Sequence, residues 1–254
     1  MSIPDEGHGD DTMTGPRTTN EVGARLGAPS MSAWQLSNGE VHFLWHFVDG
    51  AIMESDTRVR LHRAWGMCDR HSFGFVVAES AFRGGFFHGA ALLYEDLMTR
   101  AVGALGEERG VPARLVARRL RDRAACLMCE NGFGPGSSGH ASPERMSQAA
   151  DLERIQRFAS ETERLWHGWI CGRCSGTHRA QRCRKHFCQE AAAGGPSLQD
   201  QRALVAELAR HVTRYARSFR WELRGTDTAI DRAALVGSIA WCSGWAPWLA
   251  LAGR

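Results

Sequence analysis

The chain has 254 residues, 43% of them hydrophobic and 23% charged, enough to bury a core in one large or two small domains. A formal net charge of +3 is too small to imply a polyanionic partner by itself. Lys185 is the sole lysine, so arginine supplies nearly all the positive charge; genomic base composition explains this better than a phosphate-binding role.

Residues 1–30 read as a disordered tail: acidic and polar at the start, with scattered Gly, Pro and Thr and no apolar run of the secretory type. Residues 31–123 read as a first helical half. Helical spacing begins near Asn38, with Phe43, Leu44, Phe47, Val48 and Ala51 on one stripe. His42 and His46 share a face at i, i+4, a pattern more often structural than metal-binding. Asp56 is placed as the N-cap of a short helix through Val59 to Trp65, ended by Gly66. Cys68-x-x-His71 follows at a helix junction, then an apolar run from Phe73 to Ala78 and a break at Gly84-Gly85. A strong helix is expected from about Phe86 to Leu105. Its Glu95 and Asp96 point about 100° apart, which suits a solvated or arginine-paired surface better than a shared site. Pro112 opens a basic helix carrying Arg114, Arg118, Arg119, Arg121 and Arg123. Nucleic acid could contact that face, but nearby acids and the lack of interleaved aromatics favour a solvated one.

Residues 124–196 read as a second half holding the Cys/His cluster. Cys126-x-x-Cys129 leads into a Gly-rich loop from Asn131 to Gly139, and Ser142-Pro143-Glu144 has the order N-cap, N1, first-turn acid. The apolar stripe Leu152, Ile155, Ala159, Thr162, Leu165, Trp166 and Trp169 then delivers the chain to Cys171-x-x-Cys174 and Cys183-x-x-His186. Residues 197–254 begin with a long amphipathic helix marked by Leu204, Leu208, Val212, Tyr215 and Phe219. Asp227 and Asp231 head a final segment, Ala233 to Gly253, without a charged residue. Its length could span a bilayer, yet its Gly, Ser and Pro weaken it as a spanning helix. It reads as a buried or interface-forming end, where exposed tryptophans would serve a homo-oligomer or a protein partner. Residues 31–254 are expected to form one compact domain, mainly α, with about seven or eight helices.

The cysteines stand at 68, 126, 129, 171, 174, 183, 188 and 242. Most fall in Cys-x-x-Cys or Cys-x-x-His pairs, and a disulfide framework has no use for the histidines. A reduced, cytoplasmic, metal-binding chain follows. Thiolate and imidazole suit Zn²⁺, and each pair supplies half a tetrahedral site. Joined in chain order, the pairs give one site from Cys68, His71, Cys126 and Cys129 and another from Cys171, Cys174, Cys183 and His186. The expected cofactor is therefore one or two zinc ions in closed, structural Cys₃His sites. An isolated Cys-x-x-Cys could instead be a redox dithiol, but no βαβ context supports that.

The runs Phe43-Leu-Trp-His-Phe-Val48, Gly66-Met-Cys68-Asp-Arg-His71, Leu93-Tyr-Glu-Asp-Leu97 and Tyr215-Ala-Arg-Ser-Phe-Arg-Trp-Glu222 resemble an uncharacterised bacterial family of helical proteins. Its members have two tandem halves, each with a CPxC near its start and a GxCxxH later. The resemblance spans roughly residues 26–250. Ala28-Pro29-Ser30-Met31 stands where the first CPxC belongs, so both of its cysteines are missing. The resemblance implies a helical bundle of two degenerate halves with metal sites at helix junctions. It implies a second site of Cys126, Cys129, Cys183 and His186, leaving Cys68 and His71 to recruit Cys171 and Cys174. That conflicts with pairing in chain order, and both remain open at this level.

No phosphate loop, nucleophile elbow or dinucleotide fingerprint appears. The first expectation for function is thus an intracellular zinc-stabilised interaction or regulatory protein. One alternative is a metal-dependent enzyme in which Cys68 and His71, short of partners, hold an open ion completed by His42, His46, Glu95 or Asp96. Another is nucleic-acid binding through the arginine-rich helix over 112–123.

Overall fold

The computed structural model describes residues 30–82, 86–106, 111–191, 193 and 197–253. The expected N-terminal tail and the Gly84-Gly85 break lie outside the described residues. Among those described there are helices and no strands, so the protein is mainly α.

Helix α1 (Asn38–Asp49) starts on a capping box. The Ser37 side chain accepts from the backbone N–H of Glu40, and the Glu40 carboxylate accepts from that of Ser37. Helix α2 (Ser55–Arg63) is capped at Glu54, so Asp56 sits in the first turn rather than at the N-cap. Trp65 and Gly66, at φ +54° and +95°, then turn the chain sharply into α3 (Asp69–Phe82). The bulky Trp65 tolerates this left-handed conformation because it is fixed from several sides. Its indole N–H donates to the Arg121 carbonyl at 3.2 Å, and the Arg100 guanidinium lies 3.8 Å from its ring centre.

Helix α4 (His88–Leu105) is long and lies within the expected stretch from Phe86 to Leu105. Helix α5 (Ala113–Leu120) is shorter than its run of arginines: it stops at Leu120, leaving Arg121 and Arg123 beyond its end. After the single turn α6 (Leu127–Glu130), the stretch expected as one helix divides into α7 (Pro143–Ala150) and α8 (Glu153–Trp166). The Asp151 side chain accepts from the Glu153 backbone at the break. Such divisions raise the count to twelve α-helical segments among the described residues, above the seven or eight expected.

The remaining helices are α9 (Arg184–Glu190), α10 (Leu198–Arg217), α11 (Ala229–Ser243) and α12 (Ala246–Leu251). The chargeless end is the core itself. Every residue of α11 from Ala233 to Ser243 is buried, and it packs on α10, α8, α4, α9 and α3. Small side chains permit the close approach: a Cβ on Gly237 would lie 2.6 Å from Leu208 and 2.8 Å from Trp169. Trp241, Trp245 and Trp248 are each 1% exposed, so they fill the interior and leave little to offer a partner. No described helix is long and apolar enough to cross a membrane.

Candidate metal centres

Each Cys-x-x-His begins a helix. Cys183 is the N-cap of α9, with His186 in its first turn. Cys68 precedes α3, and its carbonyl accepts from Ser72, so His71 holds the equivalent place there. N-cap and N3 side chains meet on one side of a helix start, the geometry that capping boxes exploit. Sulfur and Nδ1 accordingly lie 3.2 Å apart in both pairs. Cys126 caps α6 in the same way and brings Cys129 beside it. Cys171 and Cys174 instead lie on a tight turn. It is closed by Gly172 N–H donating to Gln181, Thr177 N–H to Gly172 and Ser175 N–H to Cys171. Only glycine fits at 172, since a Cβ there would stand 2.3 Å from the Arg179 carbonyl oxygen.

The four pairs assemble into two clusters in chain order. Cys68, His71, Cys126 and Cys129 form the first; Cys171, Cys174, Cys183 and His186 form the second. Within each, the four donor atoms lie within 4.8 Å of one another. The other pairing, Cys126 and Cys129 with Cys183 and His186, is not the one the fold brings together. Zinc bonds of about 2.3 Å to sulfur and 2.0–2.1 Å to nitrogen would, at tetrahedral angles, put sulfurs about 3.8 Å apart and nitrogen about 3.6 Å from sulfur. The Cys68–Cys129 and Cys174–Cys183 sulfurs are 3.9 and 3.8 Å apart. His71 Nδ1 is 3.4 Å from Cys126 and Cys129, and His186 Nδ1 is 3.3 and 3.4 Å from Cys171 and Cys174. These spacings exclude disulfides, and all eight cysteines are free. Cys₃His donors at such edges fit one tetrahedral cation per cluster, with all four positions supplied by protein.

In each cluster one thiol is pushed down while its neighbouring thiols are pushed up, so each set holds one thiolate among protonated sulfurs. Donation from Cys68, aided by His71 and opposed by burial, pushes the Cys126 thiol down to about 3. Cys174 and Cys183 hold Cys171 far below the usual thiol value, again against burial. Burial also pushes Cys188 and Cys242 up, to about 11 and 12. These two lie outside the clusters as inert thiols.

The first cluster has an outer shell that sequence reasoning missed. His71 presents its other nitrogen, Nε2, to Glu40 Oε1 at 3.1 Å, and both side chains are almost fully buried. A carboxylate behind a ligating imidazole fixes the tautomer and makes Nδ1 a better donor. Glu40 is itself held by Arg70, whose Nε and Nη2 donate to its two oxygens at 2.5 and 2.7 Å, and by the Ser37 N–H at 2.7 Å. Burial alone would raise its pKa, but Arg70, His71 and Ser37 together hold it far below the usual carboxylate range. The Gly-rich loop that follows Cys129 returns over this cap. Gly39 N–H donates to Ser137, the Ser37 hydroxyl donates to the Gly134 carbonyl, and Asn38 exchanges two hydrogen bonds with Ala141. The sequence signal was the capping box Ser37-x-x-Glu40 itself, a motif that marks helix starts rather than metal sites.

Arg184, next to Cys183, locks the second cluster into the core at 2% exposure. It donates to the Cys242 and Leu120 carbonyls at 3.1 and 2.8 Å and pairs with Asp122 at 2.8 Å. His42, His46, Glu95 and Asp96 join neither cluster. Asp96 is instead bound by Arg58 and His62 at 2.7 and 2.6 Å. Cys68 and His71 are therefore not short of partners, which removes the premise of an open ion there. No protein-family model, curated protein or solved structure matches the chain.

Proposed function

We propose that the protein is a cytoplasmic zinc-stabilised helical scaffold of the interaction or regulatory kind, and a divergent member of the tandem-motif family its sequence resembles. One observation carries the reading: two separate sets of three sulfurs and one imidazole, each closed by protein donors. A closed tetrahedron leaves no position for water or substrate, so its contribution is to structure. Each zinc would add about 10–16 kcal/mol of apparent binding free energy, as much as or more than the whole net stability of a typical domain. The clusters sit where helices are least able to hold themselves, at the starts of α3, α6 and α9. Free thiols in metal-type sets also fit a reducing compartment.

Elemental analysis of the full chain, purified without added metal, tests this. We expect two zinc ions per chain, colourless and retained through dialysis. Cobalt substitution should give the intense visible bands of tetrahedral thiolate coordination. Fewer than one tightly held zinc, or a labile coloured metal, would overturn the proposal.

A further inference from the structure

A surface cleft of ≈ 490 Å³ lies between α2, α4 and the segment before Cys126, away from both metal clusters in its chemistry. Arg58, His62, Arg63, Asp96, Arg100 and Arg123 line it. Four guanidinium groups face one carboxylate, an excess as large as the formal net charge of the whole chain. That carboxylate is already committed, since Asp96 accepts from Arg58 and His62. Arg100 has no acidic partner among the described residues; it donates to the His62 carbonyl and stacks on Trp65. The side chains of Arg63 and Arg123 are exposed and make no hydrogen bond or ion pair among the described residues. They are nonetheless placed: Arg123 N–H donates to the Arg63 carbonyl at 2.8 Å, which fixes the two backbones side by side. Burial and the neighbouring guanidiniums of Arg123 and Arg184 push Arg100 below the usual arginine value, as uncompensated positive charge does.

The cleft continues past Arg58 and Asp96 into a second hollow of ≈ 460 Å³, lined also by Met53, Leu92, Glu95 and Thr99. One end is therefore cationic and the other partly apolar, with acceptors beside it. Met53 is 69% exposed, an adaptable apolar surface without cover.

We propose that this groove binds a small organophosphate, its phosphate between Arg63, Arg100 and Arg123 and its body over Met53 and Leu92. Planar guanidinium forks match phosphate oxygens bidentately. Glu95 and Thr99 would accept from hydroxyl or amino groups of the body. The two hollows offer room for a small molecule. The site rests on the cleft alone and does not depend on the metal reading.

The test is calorimetric titration of the full chain with pyrophosphate, ADP, adenosine and a single-stranded DNA oligonucleotide. Pyrophosphate and ADP should bind saturably, ADP more tightly, and adenosine should give no heat. Arg63→Ala and Arg123→Ala should each weaken ADP at least about tenfold, the loss of one charge-assisted contact. Neither side chain has a folded-state partner among the described residues, so circular dichroism should match the parent. Arg118→Ala, on the exposed face of α5, should leave ADP binding unchanged. Absence of ADP binding, ADP binding insensitive to both arginines, or DNA binding that pyrophosphate does not displace would each overturn the proposal.

Discussion

Replacing Glu40 by glutamine perturbs the first metal cluster without touching any of its four donors. In the native protein four donor groups converge on the carboxylate, from Arg70 Nε, Arg70 Nη2, His71 Nε2 and the Ser37 N–H. An amide presents only one acceptor oxygen, so its NH₂ must face donors wherever it points. Arg70 also loses its counter-charge. Removing one partner of a buried ion pair costs about 3–5 kcal/mol; the Arg70 side chain, 14% exposed, keeps some access to water, which places the loss near about 3 kcal/mol. His71 loses the acceptor that orients its ring, and removal of such an outer partner weakens metal affinity about 10–100-fold. Transfer of zinc to a chromophoric chelator, followed in time, reads this directly. Of two zinc equivalents, one should leave about 10–100 times more readily in Glu40→Gln, and the other should be unchanged. Equal retention of both equivalents in Glu40→Gln would refute the link between Glu40 and the first cluster.

Gly172→Ala forces a Cβ against the Arg179 carbonyl and should cost about 1–3 kcal/mol, with loosening of the second zinc only; urea unfolding and zinc transfer to a chelator check it. Gly237→Ala strikes α11 where it meets Leu208 and Trp169. It should lower stability by a similar amount, about 1–3 kcal/mol, while both zincs are retained. The buried pair His211–Asp231, 2.6 Å apart, joins α10 to the start of α11, where Asp231 completes a capping box with Thr228. Burial opposes the Asp231 charge, but His211 and Thr228 hold its pKa below the usual carboxylate value. A depressed carboxylate stabilises the fold above its unfolded pKa, and this is lost as pH falls through the folded one. Asp231→Asn should therefore be destabilised at pH 7, and its deficit should shrink as pH drops below about 4, near the unfolded aspartate value. Parallel urea titrations of both proteins from neutral to acid pH measure this; a deficit independent of pH would contradict it.

Sequence pattern was strongest where chemistry is local. Both Cys-x-x-His pairs and Cys126-x-x-Cys129 pre-pair because N-cap and N3 positions face each other, and Cys171-x-x-Cys174 pre-pairs on a tight turn, whatever the rest of the chain does. The long stripe from Leu204 to Tyr215 became α10, and the Ser142-Pro143-Glu144 order became the start of α7. Weaker signals misled. The arginines beyond Leu120 extended a helix on paper that ends there in space. By contrast, Glu95 and Asp96 read as a solvated or arginine-paired surface, and Asp96 does pair with Arg58 and His62.

What the residues determined unaided was therefore the helical class, the four half-sites and a donor set suited to a soft cation, since these follow from spacing along a few turns. The fold alone decided how the half-sites combine, because Cys68 and Cys126 meet only when the starts of α3 and α6 are brought together. It also decided that Glu40 backs His71, through a loop that folds back from Cys129 onto α1. Finally, it turned the chargeless C-terminal segment into the centre of the bundle: burial depends on what surrounds a helix, and no window of sequence contains its neighbours.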